Sequence, residues 1–300
     1  MAKLLIPRRR FLLGAAATLF IPAAPAIIRP AAAQLMQTGA GKKAGGGGGG
    51  GYVGPGDVVS GAVVWWGIRA YTQATIGASL IRVRRDSDQA EMDVVSAAGG
   101  SLNLASVFDS WAGGANVFVT TFYDQSGNGR NQGQATAGLQ AQLINTGLGH
   151  VHFVRATGGA YLATLAAGSQ PVTLSTVAKR TGNFTNTQGI WGGVSRGAEF
   201  GVGANTLGVY GGTDLLATAA DNTWHALQGV MNSTSSVINI DGTDTTGDAG
   251  TGYPNTFWLI GQFGSSFLDG DFREGGAWDA AWDATQRDDV TANQQTFWGF

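Results

Sequence analysis

From Val58 to Phe300 the apolar residues of this chain arrive in short runs, many alternating with polar positions and most closed by turn-forming residues. That rhythm constrains the fold more than any other feature. A period of two suits half-buried strands, and closely spaced turns keep each strand short. Ser79-Leu80-Ile81-Arg82-Val83-Arg84 shows the alternation, and Val117 to Tyr123 is strongly β-prone before it meets Asp124-Gln125-Ser126-Gly127-Asn128-Gly129. The same reading predicts strands at 58–59, 62–66, 151–154, 161–164, 172–179, 188–194, 198–202, 206–210, 224–231, 236–241, 256–261 and 271–277. With 49 glycines and only 13% charged residues, a helical bundle is excluded and an all-β sandwich is expected. Two helices interrupt the pattern. Leu102, Leu104, Ala105, Phe108 and Trp111 have helical spacing, and Asp283-Ala284-Thr285-Gln286 forms a capping box ahead of Val290, Asn293 and Phe297.

The first 57 residues read differently. Arg8-Arg9-Arg10-Phe11-Leu12 fits the twin-arginine export pattern, followed by an apolar run from Leu12 to Ile21 and by Ala31-Ala32-Ala33. Residues 1–33 are therefore expected to be a signal peptide, removed before Gln34. The apolar run is too short to span a bilayer and is interrupted by Pro22 and Pro25, so any membrane contact would run through this segment left uncleaved. Residues 34–57 are expected to be a linker, because the glycines from Gly45 to Gly51 have no side chains to bury. The predicted location is the periplasm, the medium or the cell surface.

Five of the 18 basic residues precede residue 34, and the remainder has 13 basic against 20 acidic residues, a net of −7. No basic stripe is present, which argues against nucleic acid as a partner. The absence of cysteine excludes disulfides, thiolate metal sites and a Cys nucleophile.

Two stretches resemble known folds. Trp224-His225-Ala226-Leu227, leading to Asn239-Ile240-Asp241-Gly242, resembles the laminin-G-like pattern of a Trp-His strand followed by an Asp-Gly hairpin. Arg69-Ala70-Tyr71, Ile81 to Asp88 and the heptad Tyr123-Asp124-Gln125-Ser126-Gly127-Asn128-Gly129 are similar to the catalytic domain of α-L-arabinofuranosidase B, glycoside hydrolase family 54. These resemblances imply a concanavalin/laminin-G-like jelly-roll β-sandwich over residues 58–300, with one or two short helices, one of them C-terminal. In that family a Glu nucleophile and an Asp acid/base hydrolyse terminal arabinofuranosyl groups with retention, chemistry that needs carboxylates about 5–5.5 Å apart. The positions matching the two acids are Gly212 and Ser265, and Phe200 stands where the family places a stacking Trp.

The resemblance thus implies the fold more than the activity. Asp214 and Asp269 lie near the lost positions and are the candidate relocated acids; Glu91, Glu199 and Glu274 are the only glutamates. Trp191 and Phe200 are the expected sugar-facing aromatics. Asp124 and Asn128 are candidate ligand contacts, although both also suit a turn that consumes its own polar atoms. Asp269-Gly270-Asp271 with Glu274 offers oxygens of the kind Ca²⁺ takes, without the full spacing, so no cofactor or metal is assigned. Three functions stay open: an exported, non-catalytic domain that binds carbohydrate or builds a surface structure; a divergent arabinofuranosidase or other glycosidase; and a phage-derived tail or adhesion module.

Overall fold

The computed structural model describes residues 51–154, 161–164, 168–193, 196–201, 203–253, 257–263 and 265–300. The twin-arginine segment and linker residues 34–50 lie outside the described residues.

The nine-residue strand Gly270–Trp278 is buried along its whole length and organises two antiparallel layers. On one side it pairs with Val172–Arg180, which continues through His225–Met231 and Ser236–Ile240 to Thr243–Gly247. On the other side its C-terminal half pairs with Val64–Gly67 and its N-terminal half with His150–Phe153. From there the layer continues through Gln142–Ile144, Val117–Phe122, Ser79–Arg85 and Glu91–Val95. A second run of strands joins Tyr161–Thr164, Phe257–Ile260, Gln188–Gly193, Arg196–Phe200, Thr206–Tyr210 and Asp214–Thr218. The result is the expected jelly-roll sandwich. Gly275 and Gly276 let indoles close on the central strand: a Cβ would come within 2.9 Å of the Trp191 ring at Gly275 and within 2.2 Å of Trp65 at Gly276.

The helix Ala284–Trp298 starts at the expected capping box, with Asp283 accepting from Gln286 N and Gln286 accepting from Asp283 N. The predicted helix at 102–111 is shorter, Leu104–Phe108, capped by Asn103. At 58–59 a strand was expected; instead Pro55–Val58 forms a helical turn, because Pro55 presets its first residue and Asp57 accepts from Gly54 N and Gln73 N. Residues 51–57, assigned from the sequence to the linker, therefore pack with the folded unit. Tyr52 donates to Ala70 O and stands edge-on to Phe297, 5.7 Å between centroids. The strands Glu91–Val95, Asp214–Thr218 and Thr243–Gly247 were not expected, since none of them alternates apolar with polar residues along its whole length in the way that signals a half-buried strand. Among the described residues no helix is long and apolar enough to cross a membrane.

A fully buried ion pair ties these parts together. Arg69 donates through Nε and Nη2 to the two oxygens of Glu274, the second bond 2.9 Å long, and both side chains are inaccessible. Gln294 of the C-terminal helix donates to Glu274 and to Ser175 and accepts from Gln228. The Arg69 guanidinium also lies 4.7 Å from the Phe297 ring centre. Removing one member of a buried pair strands the other charge in a poor solvent, so Glu274→Ala should lower unfolding free energy by about 3–5 kcal/mol in chemical denaturation. The double variant Arg69→Met/Glu274→Leu should lose less than that single variant.

Candidate functional site

The heptad loop spends its polar atoms on the fold. Asp124 accepts from Trp65 N, Ser126 N, Ser126 Oγ and Arg130 N at 2.9–3.1 Å. Asn128 Nδ2 donates to Val63 O at 3.0 Å, to Ala62 O at 3.3 Å and to Ser126 Oγ at 3.0 Å. Gln125 accepts from Tyr71 N, which joins the heptad to the Arg69-Ala70-Tyr71 stretch. The ligand-contact expectation for Asp124 and Asn128 gives way to a structural role, because these bonds occupy the groups a ligand would need.

Trp191 and Phe200 do not face a groove either. Trp191 is fully buried, edge-on to Trp66 with centroids 6.1 Å apart. Phe200 is 1% exposed, with the Arg180 guanidinium 5.3 Å from its ring centre. Strand alternation turns both rings into the sandwich, so their expected sugar-facing role is corrected to core packing.

The opposite face of these strands holds a pair of carboxyl groups. Arg196–Phe200, Thr206–Tyr210 and Asp214–Thr218 pair in a register that sets Glu199 opposite Gly208, Gly208 opposite Leu216, and Tyr210 opposite Asp214. Glu199, Tyr210 and Asp214 consequently share one face, where they line an open cavity of about 280 Å³ with Thr187 and Ser266. Glu199 is 1% exposed beside Asp214 in this cavity, and its Oε1 has no hydrogen-bond partner among the described residues. Burial, then the Asp214 charge and the hydrogen bond to it, push the Glu199 carboxyl up to about 9. The pair thus offers a proton-bearing acid at the back of the cavity and an exposed carboxylate at its mouth.

Sequence reasoning named Asp214 but missed Glu199 as its partner. The available signal was a lone acid inside the otherwise uncharged Gly197-Ala198-Glu199-Phe200-Gly201. Asp269 does not line this cavity. Its backbone accepts from Thr181 and Gly182 and donates to Gln188, and its carboxylate lies against Gly182. The expected pairing of Asp214 with Asp269 is replaced by Asp214 with Glu199. The Ca²⁺ alternative also fails: Asp271 is held by His152 Nδ1 at 2.7 Å and Lys179 Nζ at 2.8 Å, and Glu274 by Arg69 and Gln294. Among the described residues no group of three or more His, Asp or Glu is placed to hold a metal ion.

Comparison with known proteins agrees with this architecture. The sequence pattern of the family described as "Alpha-L-arabinofuranosidase B, catalytic" matches residues 62–188. A structure of a GH54 α-L-arabinofuranosidase soaked with a cyclic sulfate inhibitor is similar at TM-score 0.61 and 16% identity, covering 82% of this chain and 66% of that one. An arabinofuranosidase complexed with arabinofuranosyl-α-1,2-xylobiose is similar at TM-score 0.60 and 16% identity, over 82% of this chain and 65% of that one. The chain thus spans just under two thirds of the length of these structures. No curated protein sequence matches it. This chain resembles the arabinofuranosidase B catalytic domain and shares its jelly-roll fold.

The raised Glu199 pKa carries a signed consequence for stability. The folded state holds this proton more tightly than the unfolded chain, so the contribution is complete below the ordinary glutamate pKa and is lost as pH rises through about 9. Thermal unfolding should therefore shift to lower temperature as pH approaches 9, and Glu199→Gln should flatten that dependence. A carboxyl-carbon NMR titration should show the Glu199 transition moving down in Asp214→Asn.

Proposed function

We propose that this chain is an exported carbohydrate-binding domain on an arabinofuranosidase-like jelly roll, holding a terminal sugar at the Glu199–Asp214 cavity without cleaving it. The observation that carries the reading is the absence of a carboxyl group at both positions matching the family's acids, Gly212 and Ser265. A retaining glycosidase keeps its acids about 5–5.5 Å apart so that the glycosidic oxygen and anomeric carbon fit between them. Here neither matching position has an acid, and the nearby Glu199 and Asp214 line one small cavity instead.

The positions matching the family's acids support the same conclusion. Ser265 carries no carboxylate, and Gly212 has φ +116°, a backbone conformation that a glutamate would rarely adopt. What remains suits recognition: two carboxyl groups, Tyr210, Thr187 and Ser266 line a concave site and can exchange hydrogen bonds with sugar hydroxyls. Export is supported by Arg8-Arg9-Arg10-Phe11-Leu12 and the apolar run behind it.

A second reading, hydrolysis, is favoured by one feature, the proton-bearing Glu199 beside Asp214, an acid next to a potential base. One pair of assays separates the two. Titration with L-arabinose and arabinose-containing oligosaccharides should show saturable binding that Asp214→Asn weakens about tenfold, a loss of about 1.4 kcal/mol. Incubation with an aryl α-L-arabinofuranoside at high protein concentration should release nothing above a buffer blank. Release that disappears in Glu199→Gln would overturn the non-catalytic reading.

A further inference from the structure

A second depression, of about 400 Å³, shares no lining residue with the Glu199–Asp214 cavity. Arg84, Gln89, Phe118, Gln142, His152 and Val154 line it, contributed largely by strands in the half of the first layer that begins at His150–Phe153. Its basic group is placed in an uncommon way. The Arg84 side chain is 7% exposed and braced on three sides: Nε donates to Gln140 at 2.7 Å, Nη1 to Gln89 at 2.8 Å, and Nη1 again to Asp86 at 3.3 Å. The guanidinium carbon lies 5.1 Å from the Phe118 ring centre. Nη2 has no acceptor among the described residues, so a rigidly held guanidinium at this depression keeps two charge-assisted donors unused.

His152 is prepared in the same way. Its Nδ1 is engaged by Asp271, which Lys179 holds from its other oxygen and His150 approaches at 3.7 Å. Nε2 is left without a partner among the described residues. The Asp271 hydrogen bond raises the His152 pKa, against its partial burial, so at mildly acidic pH Nε2 also donates. Gln142 spends its amide nitrogen on Asn116, and its carbonyl oxygen stays available.

We propose that this depression is a second binding site, selective for a sugar ring that carries one carboxylate, a uronic acid. The carboxylate matches the free edge of Arg84 and the Nε2 of His152. The half-buried Phe118 ring supplies an apolar surface for the sugar's C–H face. The volume falls within the range of small-molecule sites. Asp86, half exposed beside Arg84, would accept hydrogen bonds from sugar hydroxyls and disfavours a doubly charged phosphate. Selection of a monoanionic sugar over a neutral or dianionic one follows from that balance of charge.

The test uses the full chain at mildly acidic pH, titrated with D-glucuronate, D-glucose and glucose 6-phosphate and followed by NMR and calorimetry. D-Glucuronate should bind saturably and about tenfold or more tighter than D-glucose, the neutral analogue, and than the phosphate ester. Shifts should fall on Phe118 and His152 and leave Tyr210 unmoved. Val154→Trp, a change at a position 45% exposed on the rim, should abolish binding while thermal unfolding stays unchanged. Equal affinity for D-glucose, a stronger response to the phosphate, shifts at Tyr210 alone, no binding, or indifference to Val154→Trp would each overturn the proposal. Binding at the Glu199–Asp214 cavity, read from Tyr210, succeeds or fails separately.

Discussion

The Arg69–Glu274 pair is the interaction on which the rest of the molecule depends. Two opposite charges with no access to water are tolerable only when geometry and further hydrogen bonds replace hydration. Here the replacement comes from three separated parts of the chain. Arg69 follows the strand Val64–Gly67, Glu274 sits in the central strand, and Gln294 reaches in from the C-terminal helix. Satisfying Glu274 therefore requires that the helix dock on the sheet and that residue 69 lie beside residue 274. Tyr71, two residues on, donates its backbone N–H to Gln125 of the heptad loop, and Trp65 N donates to Asp124 of that loop. The residues that carry the family resemblance are thus mainly the joints of the sandwich.

Set against that pair, Glu199 is an exception. Several other buried acids and bases have opposite partners: Asp271 has Lys179 and His152, Arg180 has Asp221, and Arg287 has Asp244. Glu199 is as deeply buried as Glu274, yet its charged neighbour in the cavity is another acid, Asp214. A fold gains no stability from placing two acids together, and the proposed ligand role of this cavity rests on that arrangement. Arg84 shows the complementary case, a basic group supported on three sides with one edge left open.

Both depressions lie away from the core aromatics. Trp65, Trp66 and Trp191 fill the space around the central strand, where Gly275 and Gly276 make room for two of them. Aromatic content in this chain is therefore a measure of how the layers pack. The two proposed sites are lined instead by polar side chains on strand faces and by Phe118, which is only half covered.

How much of this was legible beforehand follows from the range of each interaction. Strand alternation, the Asp283–Gln286 capping box and the Asp-Gly turn are local, so the amino-acid sequence determined an all-β sandwich closed by a C-terminal helix. The heptad's internal bonding was readable for the same reason, since Asp124 meets Ser126 and Arg130 within its own loop. Residues 51–57 were misread because their anchors, Ala70 and Phe297, lie far along the chain. Which face Trp191 and Phe200 present, and which acid stands beside Asp214, depended on strand register. A shift of one residue reverses every side chain on a strand. Composition and spacing specify that strands form; only their pairing in three dimensions brought Glu199 to Asp214 and left Asp269 elsewhere.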